Sequence, residues 1–242
     1  MLLANAAGFW GDNLDAARRT LERADVDYLT LEYLAELTMS ILAVQKRKNP
    51  ALGYAGDFLT VLDDVVPFLL ARPQLKIVTN AGGINPRACV KKAAESLVAA
   101  GLGELRIAMV DGDDLLPRME ELRAAGCAFV NLDTGRPLST LARPIVAANA
   151  YLGAAGIATA LAERARLVVT GRVADASLTL GPALHEFGWR PDDWEHLAGA
   201  SVAGHLVECG ANRPGACPPL GANSIWPTSG IRWRGWRPMD RA

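Results

Sequence analysis

Six short runs rich in Leu, Val, Ile and Tyr alternate with stretches of helical period, and this alternation constrains the chain more than any other feature. The runs are Leu2 to Ala6, Tyr28 to Leu31, Lys76 to Thr79, Arg106 to Val110, Phe129 to Leu132 and Leu167 to Thr170. Between them the apolar spacing changes from that of a strand to that of a helix. Leu14, Ala17, Leu21 and Ala24 mark one amphipathic face, and Leu34, Leu37, Ile41 and Val44 mark another. Further helices are expected over Phe58 to Leu70, Pro86 to Ala100, Leu115 to Ala125, Ala142 to Leu161, Ser177 to Phe187 and Asp192 to Val207. The helix at Pro86 carries Pro in its first turn and Asn85 as its cap. Asn49 to Asp57 is the one long loop expected. Strand, helix and strand again with short connections predicts an α/β fold, a mostly parallel sheet with helices on both faces. Part of a β/α barrel is the alternative, since element order alone does not say whether such a sheet closes.

In a parallel sheet the ligand-binding groups collect beyond the carboxyl ends of the strands, where loops meet helix N-termini. The candidate residues are therefore those that follow each run. The first loop supplies Asn5 and Asp12, and the second supplies Glu32, which with Glu36 is expected to form an i,i+4 pair of carboxylates on one helical face. The third, Asn80 to Pro86, supplies Asn80, Gly82, Gly83 and Asn85. Its glycines would let the backbone approach an anion, with the Asn85-capped helix aimed at it. It lacks the GxGxxG and P-loop patterns, so an ordinary β-to-α turn is an equal reading. The fifth loop offers Asp133 and the sixth offers Arg172, Asp175 and Ser177. Arg172 is placed to bind and polarise a carboxylate or thioester, and Asp175 to act as a base. The alternative is an ion pair within the loop, with Asp175 or Ser177 capping the next helix. His205 and Glu208, three apart, share a helical face next to Cys209 and could bind a metal or serve as acid and base. A solvated or core-satisfied pair competes with that reading, and no metal is assigned. There is no nucleophile elbow, zinc-protease helix or Walker sequence.

Composition matters chiefly at one seam. From Arg213 to Ala242 the chain holds three of its six Trp, five of its fourteen Pro and five Arg, with no Lys, Glu or Val. A packed domain rarely has that balance. With GC-rich codons, a two-base shift turns this stretch into ordinary protein text. Residues 1–212 are thus expected to form an α/β domain, and residues 213–242 a non-native, out-of-frame tail on a truncated product. The alternative is a genuine Trp- and Arg-rich tail that binds an anion or a partner chain. Setting the tail's five Arg and one Asp aside moves the net charge from −1 to −5, so nucleic acid is not an expected partner. The four cysteines, Cys89, Cys127, Cys209 and Cys217, show no metal spacing, and no signal-like segment or membrane span is evident. A cytoplasmic protein is expected.

A set of blocks in fixed order points to a family. They are Gly8-Phe9-Trp10-Gly11-Asp12, Tyr33-Leu34-Ala35-Glu36, Gly53-Tyr54-Ala55, Thr79 to Pro86, Asn149-Ala150-Tyr151-Leu152-Gly153, Thr170 to Leu178, His185 to Trp189 and Ala203 to Ala211. Together they resemble the acyclic terpene utilisation (AtuA-like) family across nearly all of residues 4–211. The resemblance implies a role in breaking down acyclic terpenes or branched acyl chains, near acyl-CoA carboxylases and dehydrogenases. It also implies a downstream Gly-Gly, Trp and Asp-Ile-Gly-Tyr-Pro order, which the shifted tail reproduces. It implies a pathway more than a reaction. An enzyme acting on an acyl-CoA or related carboxylate, by hydration, lyase or acyl-transfer chemistry, is one expectation. A non-catalytic accessory or scaffold subunit of the carboxylase pathway is another, and an inactive fragment a third. The implied partner is a small molecule such as an acyl-CoA, with a homo-oligomer compatible and no cofactor assigned.

Overall fold

The computed structural model describes residues 1–142, 144–208 and the backbone of 232–234. Strands β1 (Leu2–Asn5), β2 (Tyr28–Leu31), β3 (Lys76–Thr79), β4 (Ile107–Val110) and β5 (Leu167–Thr170) pair in parallel in the order β4-β5-β3-β2-β1. A sixth strand, β6 (Arg232–Arg234), lies antiparallel to β1. Among the described residues no ladder joins β4 to β6.

Helices α1 (Ala16–Arg23), α2 (Glu36–Lys48), α3 (Asp57–Ala71) and α4 (Pro86–Ala99) come before β4 in sequence. After it come α5 (Met119–Ala124), α6 (Ala155–Ala162), α7 (Ser177–Phe187) and α8 (Trp194–Glu208). Successive side chains of a strand point to opposite faces, so a sheet buried on both sides needs continuous apolar runs. Leu29, Leu31, Ile77, Leu167 and Val169 enter one core with Leu21, Leu62 and Leu97 from α1, α3 and α4. Leu3, Tyr28, Val78 and Val168 enter a second core with Ile157, Leu161, Leu178 and Val207 from α6, α7 and α8. The expected mostly parallel sheet with helices on both faces is present.

Strand order decides where the site lies. From β1 the chain steps to β2 and β3, then passes over one position to β4 and returns to place β5 in the gap. Because β-crossover-β units are right-handed, reversing the step sends the connecting helix to the opposite face. The loop after β3 therefore leaves toward α4 while the loop after β5 leaves toward α7. Two neighbouring strands whose following loops diverge leave a crevice at their carboxyl ends.

The backbone is tight at that point. A Cβ added to Gly82 would stand 2.5 Å from the Thr170 carbonyl oxygen and 2.7 Å from Pro86 Cβ. Gly82→Ala is accordingly expected to lower the urea-unfolding free energy by about 1–3 kcal/mol. Gly56→Ala, where the site is open and φ is −63°, is expected to stay near wild type. Equal stability of the two variants would show that the β3 and β5 ends are not in contact.

Two expected elements differ. Phe129 to Leu132 is not a strand: Phe129 takes φ +45°, Val130 makes a single bridge to Pro137, and Asn131 closes a tight turn with Gly135 and Arg136. The helix expected from Ala142 begins only at Ala155. Pro144 disfavours a helix before it, and the following segment finds hydrogen bonds elsewhere. Leu115 N–H donates to Ala148 O, Ala150 N–H to Asp113 O and Leu152 N–H to Arg172 O. Asn49 to Asp57 is thus not the one long loop, because the connection from β4 to α6 is longer and largely irregular.

Candidate functional site

At the end of β1, Asn5 is fully buried and its amide donates to Ala7 O at 3.0 Å and to the Glu208 carbonyl, tying the last turn of α8 to the sheet. Its own Oδ1 accepts from the Thr30 hydroxyl at 3.0 Å. The position is dictated by pleat: Asn5 and Thr30 both project toward the α6–α8 side.

Glu32 follows β2 directly and is 1% exposed. Its Oε1 accepts from Leu34 N–H at 3.0 Å and from the Asn80 side chain, which in turn accepts from Tyr33 N–H at 2.8 Å. Its Oε2 is buried without a hydrogen-bond partner among the described residues. Burial raises the Glu32 carboxyl to a pKa of about 8; the Asn80 and Leu34 bonds pull it down, and the charges of Asp175 and Glu208 push it further up. The expected Glu32–Glu36 helical pair does not form. Helix α2 starts at Glu36, so Glu32 sits in the extended turn before it, and burial separates the two carboxylates.

Arg172, beyond β5, is 2% exposed. Its Nη1 donates to Leu34 O at 3.2 Å, its Nη2 stands 3.1 Å from Asp175 Oδ1, and its guanidinium lies 4.0 Å from the Tyr151 ring centroid. The Asp175 contact is an ion pair without hydrogen-bond alignment, and Arg172 Nε also has no partner among the described residues. Tyr151 donates its hydroxyl to Glu36, which lies 3.9 Å from Arg172 at the solvent rim. Below, the Arg172 N–H and the Asn149 amide both donate to Asp113 Oδ2, at 2.9 and 2.8 Å. Burial raises the Asp113 carboxyl and these bonds oppose the rise. The expected ion pair within the loop is present, but the N-cap of α7 is Ala176, without a side-chain cap bond.

Helix α8 closes the site from the side. A Cβ on Gly204 would stand 2.9 Å from Ala176 Cα and O, so this glycine lets the helix touch the 172–177 loop at backbone distance. That contact carries His205 and Glu208 to Asp175, and one potential ligand atom from each lies within 4.8 Å of the others.

Asn5, Glu32, Asn80, Arg172, Asp175, His205 and Glu208 thus converge from four strand ends and one helix. Ser177 begins α7 just beyond them, buried, with its N–H on Ala174 O. The remaining candidates serve elsewhere. Asp12 binds Gly8 N–H and Asn13 N–H in its own loop. Asn85 caps α4 through Ala88 N–H and clamps Pro50 O and Leu52 O, so the helix start expected to face an anion lies beneath the 50–53 segment. Gly83, with φ +52°, packs against that segment and Leu42. Asp133 lies in the exposed turn after Phe129. Sequence reasoning assigned no role to Asp113, Asn149 or Tyr151. The signal was the Asn149 to Gly153 block, which the Leu152–Val173 bridge sets beside Arg172.

The family model for acyclic terpene utilisation family protein AtuA matches residues 1–217. This chain belongs to the AtuA family. The match runs from β1 through α8 and so contains every residue of the cluster. It ends five residues into the stretch that composition sets apart. No curated protein and no solved structure matches the chain. Family membership ties the chain to acyclic terpene utilisation, and no described helix of this AtuA-family chain is long and apolar enough to cross a membrane.

Proposed function

We propose that this AtuA-family chain is an enzyme acting on a branched acyl-CoA or a related carboxylate, by proton transfer next to a carbonyl. The observation that carries the reading is a pair of open valences at the switch-point crevice. Glu32 Oε2 and Arg172 Nε are both buried and both without a hydrogen-bond partner among the described residues. A buried polar atom left unpaired is destabilising by about 1–3 kcal/mol, so such atoms are retained where a ligand completes them.

In this reading Arg172 donates Nε–H to the oxygen of a thioester or carboxylate, and stacking on Tyr151 keeps the fork in one plane. Glu32, largely protonated near pH 7, gives a proton to oxygen as negative charge develops there. Asp175, beside the guanidinium, takes a proton from the neighbouring carbon or from water. This division of roles suits hydration, its reverse, or a lyase step.

Calorimetric titration of a branched acyl-CoA, with free coenzyme A as the control, tests it. Arg172→Lys keeps the buried charge but loses the fork. It is expected to weaken acyl-CoA binding about tenfold or more, in keeping with the loss of one charge-assisted hydrogen bond. Asp175→Asn is expected to abolish turnover. Unchanged affinity in the first variant and unchanged turnover in the second would overturn the reading.

A further inference from the structure

We infer that the groove at the C-terminal end of α2 receives the pantetheine arm of coenzyme A and binds its diphosphate through Arg47 and Lys46. The inference deepens the proposed function and rests on it. The groove has a volume of about 340 Å³ and lies between α2, the turn after β3, the start of the connection after β4 and the 144–147 segment. Its walls are mostly apolar, from Ala43, Ile84, Leu116, Ile145 and Val146, and its charged residues are Lys46, Arg47 and Asp114. An apolar trough with two cations suits a ligand that is itself part apolar and part anionic.

Three observations tie the groove to the crevice at Arg172. Glu36, Ser40, Ala43 and Arg47, spaced i, i+4, i+7 and i+11, share one face of α2. At the start of that face Glu36 meets Tyr151 and lies 3.9 Å from Arg172, and toward its far end Ala43 and Arg47 line the groove. Second, the 145–151 segment runs alongside the same face in the opposite direction, since Ile145 and Val146 line the groove while Tyr151 reaches Glu36. Third, the lengths agree. The helix rises about 16 Å from Glu36 to Arg47. About thirteen bonds separate the thioester sulfur of an acyl-CoA from its nearer phosphorus, and an extended chain of that many bonds spans about 15 Å at peptide-like geometry. A thioester oxygen held at Arg172 therefore sets the diphosphate at the end of α2.

The fold leaves these cations with donors to spare. Basic residues in the last turn of a helix offset its dipole, and Lys46 also donates to Ile84 O at 2.8 Å, which leaves two of its three N–H groups. Arg47 is exposed and makes no hydrogen bond or ion pair among the described residues. Asp114, the one acid of the lining, accepts from Leu116 N–H at 3.0 Å, and the two cations outweigh it. The guanidinium fork of Arg47 matches the paired oxygens of a diphosphate.

Calorimetric titration of the full-length chain with coenzyme A, pantetheine and ADP tests the assignment. Coenzyme A is expected to bind at least tenfold more tightly than pantetheine, which lacks the diphosphate, and than ADP, which lacks the arm. Arg47→Glu should weaken coenzyme A binding at least tenfold. Arg23→Glu, at the exposed end of α1 before β2, makes the same change in net charge and should match the wild type. Pantetheine or ADP binding as tightly as coenzyme A, or an equal loss in both charge variants or in neither, would overturn the groove. The enzyme reading fails separately. A branched acyl-CoA that binds through Arg172 but is indifferent to Arg47→Glu removes only the groove, whereas failure of both coenzyme A and the acyl-CoA to bind removes both. Unchanged far-ultraviolet circular dichroism in Arg47→Glu separates loss of a contact from loss of fold.

Discussion

Glu32→Gln should abolish a fall in stability that the wild-type chain shows between about pH 5 and pH 8. The sign follows from the direction of the shift. The Glu32 carboxyl is raised from 4.5 to about 8 in the folded chain, chiefly by burial. A raised acid binds its proton more tightly when folded. Its contribution is therefore complete below the unfolded value and is lost as pH rises through the folded one. The shift corresponds to about 3–5 kcal/mol lost by pH 8. Gln keeps an oxygen for Leu34 N–H and the Asn80 amide but cannot ionise. Urea unfolding at pH 5, 6, 7 and 8 in the presence of chelator, with both proteins side by side, measures the effect. The two curves should converge at pH 5 and separate above pH 6, with the variant more stable. Parallel curves would mean that Glu32 is ionised in the native state at neutral pH.

Arg172→Met should be strongly destabilising. It removes the buried cation that faces Asp175 at 3.1 Å and lies over Tyr151, and it frees Leu34 O of its donor. Removing one partner of a buried pair typically destabilises by about 3–5 kcal/mol, because the remaining charge has no compensation. Losing the aromatic contact adds about 0.5–2 kcal/mol. Since Asp175 keeps partial access to water, the lower part of that combined range is expected. The companion experiment is the double variant Arg172→Met with Asp175→Asn. If the uncompensated charge is the cause, neutralising it should restore part of the loss, giving a coupling energy of about 1–3 kcal/mol in the double-mutant cycle. Additive effects, or a loss below about 1 kcal/mol in the single variant, would place Arg172 outside the electrostatic centre of the site.

Much of the fold was legible because its signals are local. The runs at Tyr28 to Leu31 and Lys76 to Thr79 became strands with those bounds, and Asn85 and Pro86 begin α4 as capping chemistry requires. The two failures differ in cause. The run at Phe129 folds back on its own neighbours Gly135 to Leu138 in a turn, whereas the backbone groups of the segment after Ala142 are claimed by distant partners such as Asp113 O and Arg172 O. Tertiary hydrogen bonds override propensity there. The same applies to the site. Choosing residues after strands located Asn5, Glu32, Asn80, Arg172 and Asp175, but it could not separate groups facing the crevice from those holding a loop together, such as Asp12 and Asn85.

The sequence by itself determined the alternation of elements, two apolar faces for each central strand, and the carboxyl ends as the place where polar residues gather. Each of these depends on spacing along a few neighbouring residues. Only the tertiary structure decided that β5 returns between β3 and β4, because strand order depends on which long crossovers close. That one step puts the Arg172 loop beside Asn80 and Glu32, and backbone contact at Gly204 brings His205 and Glu208 to Asp175. Burial then changes the chemistry: the same carboxylic acid is an ordinary anion at Glu36 on the rim and holds its proton near neutral pH at Glu32.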